Sequence, residues 1–449
     1  MLAAVLTQTT TAGPGPATPG PAGRARRSRP HAAELDVVRP VASLLVIVTH
    51  AMQMFASTGT IFYGAIVLES QASRHVFFFV AALVLAYQAY QQPRWSPWRF
   101  WGRRGLTIVV PYAIWVLLYC VLAFTGLRGD TIPSASGTPL QVLERFGTQL
   151  ITGPGHLYFV FVLMQFYLVF PLLLVLLNRA RRWHWAILGV SLAVQLVVTV
   201  ALHYSHWTWS PWYDLGSTRQ LSSYVFYLVA GAITGAHLPA VRAWVWRHRW
   251  LLLAAGATVI VAVEAWYGIT VLSGQGVDSS SDPFSPEAIP LYLATVLLLW
   301  LAGAWWAARS GDGWPSRLVR TTSDNSYGVY LSHILFLDIL ATAGLSRLDA
   351  HVPWIVTVVI AVLVAWTGAG LLTVVLARTA LSRWLTGRAR RPWRGGPPPV
   401  GWGSVAEPEL SVRPSSAFPQ QPPRSPESSQ PTSGSGPGGD SALTGRLTR

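Results

Sequence analysis

Two side chains in one apolar run have the types and spacing for chemistry. Residues 34–56 are almost entirely apolar, yet they hold Arg39 and His50 eleven positions apart. On an α-helix eleven residues turn by about 1100°, three turns plus roughly 20°, and rise about 16 Å, so the two side chains share a face at different depths. A guanidinium suits bidentate contact with phosphate, and a neutral imidazole suits proton transfer near pH 7. An ionisable group at bilayer depth is costly unless it faces protein or water, which marks His50 as a functional candidate. The alternative, a histidine satisfied by a neighbouring helix, stays open at this point. Asp36 and Pro40 fit a helix start, with Asp36 as cap or dipole partner and Pro40 in the first turn.

Other polar groups enter apolar runs farther along. One run opens Gly155-His156-Leu157-Tyr158-Phe159, and a later one begins Asn325-Ser326-Tyr327-Gly328-Val329-Tyr330-Leu331-Ser332-His333. His156, Tyr158, Ser326, Tyr327 and Tyr330 are therefore candidate substrate contacts, with Tyr158, Ser326 or Tyr330 as donors to a developing oxyanion. Glu264 and Asp338 are further carboxylates in apolar surroundings that are expected either in the same cavity or at a hydrated edge. Arg99, Arg103 and Arg104 precede a third run and would gather with Arg39 at one rim, where a phosphate-bearing donor would be drawn. Lipid headgroup contact is the plainer reading of Arg99 and Arg103. The stretch from Tyr204 to Asp214 places His206 and Asp214 among aromatic rings, a composition that fits either an interfacial belt or a sugar site.

These residues must be held by helices that span a membrane. Of 449 residues 51% are hydrophobic and only 11% charged, against roughly a quarter charged in soluble domains. The formal charge of +15 is distributed as short basic clusters between apolar runs, which argues for membrane topology and against nucleic acid. The lone cysteine, Cys120, excludes a disulfide framework and a thiolate metal site. Ten stretches of spanning length can be marked, near 37–56, 75–91, 105–125, 157–177, 184–203, 221–238, 250–272, 289–308, 326–343 and 353–377. With the N-terminus in the cytoplasm, connections after even-numbered spans carry most of the intervening arginines, among them Arg94, Arg179, Arg181, Arg182, Arg242, Arg247, Arg249, Arg309, Arg317 and Arg320. The expected architecture is all-α and integral to the membrane, with ten transmembrane helices and both termini cytoplasmic. Residues 1–33 read as a tail, 34–378 as the membrane domain, and 379–449 as a basic juxtamembrane segment followed by a Pro/Ser/Gly-rich tail that cannot bury a core.

The pattern Asp36, Arg39, Ala42, His50 resembles the opening helix of the membrane acyltransferase 3 family, multispanning bacterial O-acyltransferases of surface glycans and related molecules. Phe77-Phe78-Phe79, Arg103-Arg104 through Pro111-Tyr112, His156-Leu157-Tyr158-Phe159 through Tyr167 to Pro171, and Ser326-Tyr327-Gly328-Val329-Tyr330 through His333 agree with it in order. The resemblance covers about residues 34–378. Two departures stand out. Ala81-Ala82 replaces the usual Ser-Gly, and Thr107 stands where a further arginine usually follows the Arg pair, which removes part of a presumed phosphate contact.

The resemblance implies transfer of an acyl group, expected to be acetyl, from cytosolic acyl-CoA to a hydroxyl of a glycan, glycolipid or similar acceptor at the membrane or its outer face. No permanently bound cofactor is expected; acyl-CoA enters as co-substrate, and the partners are the bilayer, the donor and the acceptor. In this reading His50 is the general base, while Arg39, Arg99, Arg103 and Arg104 hold the donor phosphates. A multispanning small-molecule transporter or exporter accounts equally for ten spans and buried charge, but no second copy of the Arg39 and His50 element is seen in residues 200–378. A sensor or scaffold recruiting a partner through the Pro-rich tail is a third reading.

Overall fold

A computed structural model describes residues 32–92, 94–124, 138–204, 217–311 and 313–391. Among them all regular structure is helical and there is no strand. In chain order come α1 (Leu35–Phe55), α2 (Ile61–Ser70), α3 (Ala72–Tyr90) and α4 (Pro97–Arg104). A π-helical turn, Gly105–Val109, joins α4 to α5 (Val110–Phe124), followed by α6 (Pro139–Thr152), α7 (Tyr158–Arg179) and α8 (His184–Tyr204). The second half holds α9 (Val225–Ala236), α10 (Leu238–Arg247), α11 (Arg249–Leu272), the short α12 (Val277–Ser280) and α13 (Ala288–Arg309). The last elements are α14 (Trp314–Thr342), α15 (Trp354–Leu376) and α16 (Ser382–Thr386).

Eight of these segments are long and apolar enough to cross a membrane, which makes this an integral membrane protein. All ten expected stretches are helical, but two of them differ from simple spans. The stretch near 221–238 ends at a 95° bend where α9 gives way to α10, and counting that pair as one span raises the number to nine. α14 falls short on hydropathy, because its 29 residues include Arg317, Arg320, Asp324, Asn325, His333 and Asp338. Much of that polarity is turned inward, with Ser323, Asn325, Ser326, Ser332, His333 and Asp338 all buried.

Pro40 requires a correction. α1 starts at Leu35 with Glu34 before it, so Asp36 lies in the first turn but Pro40 stands inside the helix. There it removes the N–H that would otherwise meet the carbonyl four residues back, that of Asp36. Glu34 itself is buried and takes both nitrogens of Arg242 in a bidentate pair, Nε donating to Oε1 at 2.6 Å and Nη2 to Oε2 at 2.7 Å, which fastens the start of α1 to α10.

α3 is the centre of the bundle. The α2–α3 run is 72% buried over its most apolar window, whereas the α11 window is 11% buried. α9 lies against α3 at a distance that only glycine permits. A Cβ at Gly231 would stand 2.2 Å from the carbonyl oxygen of Phe79, and one at Gly235 would stand 2.3 Å from that of Leu83. Small residues four apart are the common means of close helix approach in lipid, where packing rather than a hydrophobic driving force holds helices together. α1 packs on α3, α13, α14 and α15 through a face that includes Ala42, Ile47, Ala51 and Met52, all essentially inaccessible. α6 has a sequence signal of its own. Thr138 and Gln141 form a capping box, Pro139 occupies the first turn and Gly153 closes the helix at φ +65°.

Candidate functional site

His50 opens on a polar cavity of about 170 Å³ between α1, α3, α7 and α14. His156, Tyr158, Phe159 and Tyr330, all in motifs singled out by the sequence, line it, together with Thr49, Gln53, Ser73, Arg74, Phe77 and Thr218. Gln53, one turn after His50, hydrogen-bonds the imidazole. Thr49 is held by its own helix at the Leu45 carbonyl and by Ser70 Oγ at 2.9 Å, so the cavity wall on that side is fixed.

Two more imidazoles meet His50. The ring of His333 lies 5.4 Å from it, centre to centre, that of His156 lies 6.3 Å away, and the latter two are 5.1 Å apart. Each is oriented by backbone that α14 supplies. His333 Nδ1 stands 2.7 Å from the carbonyl of Tyr330; a carbonyl only accepts, so Nδ1 carries the proton and Nε2 keeps its lone pair. His156 Nε2 reaches the carbonyl of Leu331 at 3.4 Å, and Tyr119 donates to the same carbonyl at 2.9 Å. Tyr330 donates its hydroxyl to the backbone carbonyl of His156, tying α14 to the start of α7. Among the described residues no group of three or more His, Cys, Asp or Glu side chains is arranged to hold a metal ion.

The remaining expected residues lie elsewhere. Ser326 is buried and returns its hydroxyl to the Thr322 carbonyl, while Tyr327 reaches the Ile108 carbonyl of the π-turn at 3.4 Å. Both sit about one turn from Tyr330 toward the Arg39 level. Glu264 is outside the cavity and faces Glu69, whose Oε1 accepts from Thr295 at 3.1 Å. Asp338 is buried near Tyr119 and does not line the cavity. His206 and Asp214 lie outside the described residues. His333 belongs to a quoted motif without a role, and Arg74 stands just ahead of the apolar stretch near 75–91; both are neighbours of His50.

At the other end of the stripe, the charged groups that Arg39 feels are Asp36, Arg388 and Asp324. Arg99 and Arg103 are exposed, and Arg104 lays its guanidinium over the rings of Phe100 and Tyr167 at 5.8 Å and 5.4 Å. The basic cluster near Arg39 therefore includes a segment from the far end of the chain. Asp324 on α14 takes Arg388 at 3.2 Å and Arg391 at 2.8 Å. α16 and residues 387–391 hold those arginines in place through several bonds. Trp115 Nε1 donates to the Leu385 carbonyl at 2.9 Å, Ser382 Oγ to that of Arg388 at 3.0 Å, and the Arg391 N–H to that of Ala377 at 2.8 Å.

Gly387 makes this strap possible. Its φ is +67°, and a Cβ there would lie 2.2 Å from the carbonyl oxygen of Thr107 in the π-turn. Gly387→Ala is expected to destabilise the docked strap by about 1–3 kcal/mol through backbone strain and the collision. Proteolysis between α15 and residue 391 in the membrane-embedded protein should accelerate in the variant, and an unchanged cleavage rate would argue against a docked strap.

A helical membrane bundle with a histidine-lined polar cavity on its central helices defines the class of protein. Residues 32–373 match the acyltransferase 3 family, described as an acyltransferase domain, and the chain belongs to that family. Comparison with curated proteins found no match, and neither did comparison with solved structures.

Proposed function

We propose that this membrane acyltransferase moves an acyl group, acetyl foremost, from cytosolic acyl-CoA to a hydroxyl of a glycan, glycolipid or similar acceptor, with His50 as general base. The observation that carries the reading is the single stripe of α1: Arg39 sits within a cluster of fixed charges at one end, and His50 opens on a polar cavity about 16 Å along the helix. The donor's phosphates are read at Arg39, with Arg388 and Arg391 as partners and Arg104 as the half-buried arginine of α4; Arg99 and Arg103 contribute by attraction from the surface. The pantetheine arm spans the interval past Ser326 and Tyr327.

The reaction then needs one base and one oxyanion contact. The acceptor hydroxyl oxygen attacks the thioester carbonyl as His50 removes its proton; the C–S bond breaks, and the proton returns from the imidazolium to the departing thiolate. Gln53 fixes the ring, while His333 and His156 pack beside it. Tyr158, on the cavity wall, donates to the oxyanion; Tyr330 holds the His156 backbone and shapes that wall.

In this reading both α14 and the bent α9–α10 pair enter the bilayer, for ten spans in all, with the Arg39 end and both chain termini in the cytoplasm of a bacterial plasma membrane. The arginine asymmetry between alternate connections supports that orientation. Purified protein in nanodiscs should be stabilised against heat by acetyl-CoA and should hydrolyse or exchange it slowly. Absence of both effects with every acyl-CoA tried would leave the family's fold without this chemistry.

A further inference from the structure

Arg74 is the third residue of α3 and lines the cavity together with His50, whose ring feels its charge. Its partners among the described residues are all neutral. Nη2 donates to the side-chain oxygen of Gln71, the guanidinium hydrogen-bonds Tyr224, and its face lies 5.9 Å from the ring centre of Phe284. Nη1 is occluded from solvent and has no hydrogen-bond partner among the described residues. Tyr158, Tyr224 and Tyr292 complete the surroundings, so the group stands among hydroxyls and ring faces, with no carboxylate partner among the described residues.

Three other arginines that pack into this fold are treated differently. Arg242 receives Glu34 in a bidentate pair, and Arg388 and Arg391 share Asp324. A guanidinium buried without a counter-ion is expensive, and the expense is ordinarily met by pairing. A purely structural role would be filled by the contacts to Gln71 and Tyr224, which a neutral side chain can also make. The fork beside a cavity, with Nη2 bonded to Gln71 and Nη1 short of an acceptor, suits a carboxylate or phosphate.

We propose that Arg74 binds an anionic group of the acyl acceptor, so that the acceptor is an acidic sugar or a phosphate-bearing glycan or lipid rather than a neutral saccharide. This rests on the acyl-transfer reading for the word acceptor, but the anion site itself does not. An anion seated on Arg74 directs a neighbouring hydroxyl of the same molecule toward His50, which lines the same cavity.

The test uses the full chain in nanodiscs of neutral lipid with three probes: methyl glucuronide, methyl glucoside and glycerol 3-phosphate. Binding is read by thermal stabilisation in wild type, Arg74→Gln and Arg74→Lys, with the melting temperature of each unliganded variant as the folding control. At least one anionic probe should stabilise wild type at a concentration where the glucoside does not. Preference for the glucuronide identifies a uronic acid, and preference for the glycerol phosphate identifies a phosphate-bearing acceptor. Affinity should fall about tenfold or more in Arg74→Gln and less in Arg74→Lys, since the lysine keeps the charge without the fork. Equal response to glucoside and both anions, or full anion binding in Arg74→Gln, overturns the proposal. If Arg74→Gln does not fold, the proposal stands or falls on wild type and Arg74→Lys. Acetyl-CoA turnover measured in parallel separates the two readings: anion binding that needs Arg74 without any acyl-CoA turnover keeps the anion site and removes acyl transfer, and the reverse result removes the anion site alone.

Discussion

His50→Ala lowers acyl transfer by about 10² to 10⁴, the range a positioned general base contributes, while leaving the protein folded in the membrane. The fold should survive because His50 is only partly buried and borders an existing cavity. Truncation enlarges that space rather than opening a new void in the core. α1 keeps its main packing through Ala42, Ile47, Ala51 and Met52, and Thr49 keeps its bond to Ser70. The measurement is acetyl-CoA consumption by purified protein alongside its melting temperature. Wild-type turnover in a well-folded variant would remove His50 as the base. Loss of both activity and fold would be resolved by His50→Gln, which keeps the volume and hydrogen bonding but cannot take the proton.

Arg39→Ala is expected to act on the donor instead. Loss of one charge-assisted phosphate contact costs about 1.5–3 kcal/mol, which corresponds to roughly a 10- to 100-fold rise in the KM for acyl-CoA with a smaller change in kcat. Arg103→Ala supplies the contrast, since that side chain is exposed and screened by salt; its effect should stay within a few-fold and shrink further at high ionic strength. Equal effects of the two substitutions would show that the basic rim attracts the donor diffusely and that Arg39 has no special place in it.

The outcome for Arg39 and His50 reflects what a sequence can carry. Their relation depends on one helix and its pitch, so the spacing alone places both on a common face. The helices themselves were legible for the same reason, apolar length being the dominant signal in a bilayer. Arg74 was not legible. It stands at a helix start beside polar residues, just ahead of the apolar stretch, and only the packing of α3 against neighbouring helices brings it to His50. Arg388 was hidden differently: it lies in a stretch that reads as a basic tail, and its place near Arg39 depends on Asp324, on Gly387 and on a backbone carbonyl of the π-turn. Hydropathy alone marks eight spans, or nine with the bent α9–α10 pair, and passes over α14 because it measures what lipid tolerates, while α14 turns many of its polar side chains into protein. Thr107, the departure from the arginine pattern, belongs to the π-turn that receives the strap.

The bend after α9 has a consequence for the membrane itself. From Leu221 to Ala236 the limb is sixteen residues long, about 24 Å at 1.5 Å per residue, against a hydrocarbon thickness near 30 Å. Hydrophobic mismatch of this size is met by local thinning of the bilayer or by polar backbone admitted below the headgroups. The turn at 217–219 leads directly into that limb: Thr218 borders the cavity and its carbonyl accepts from Tyr224. Irregular backbone is tolerated at such depth where it is enclosed by protein or wetted. In the proposed reading the short limb would thin the leaflet beside the cavity, so that a hydroxyl could reach His50 without its carrier crossing the bilayer.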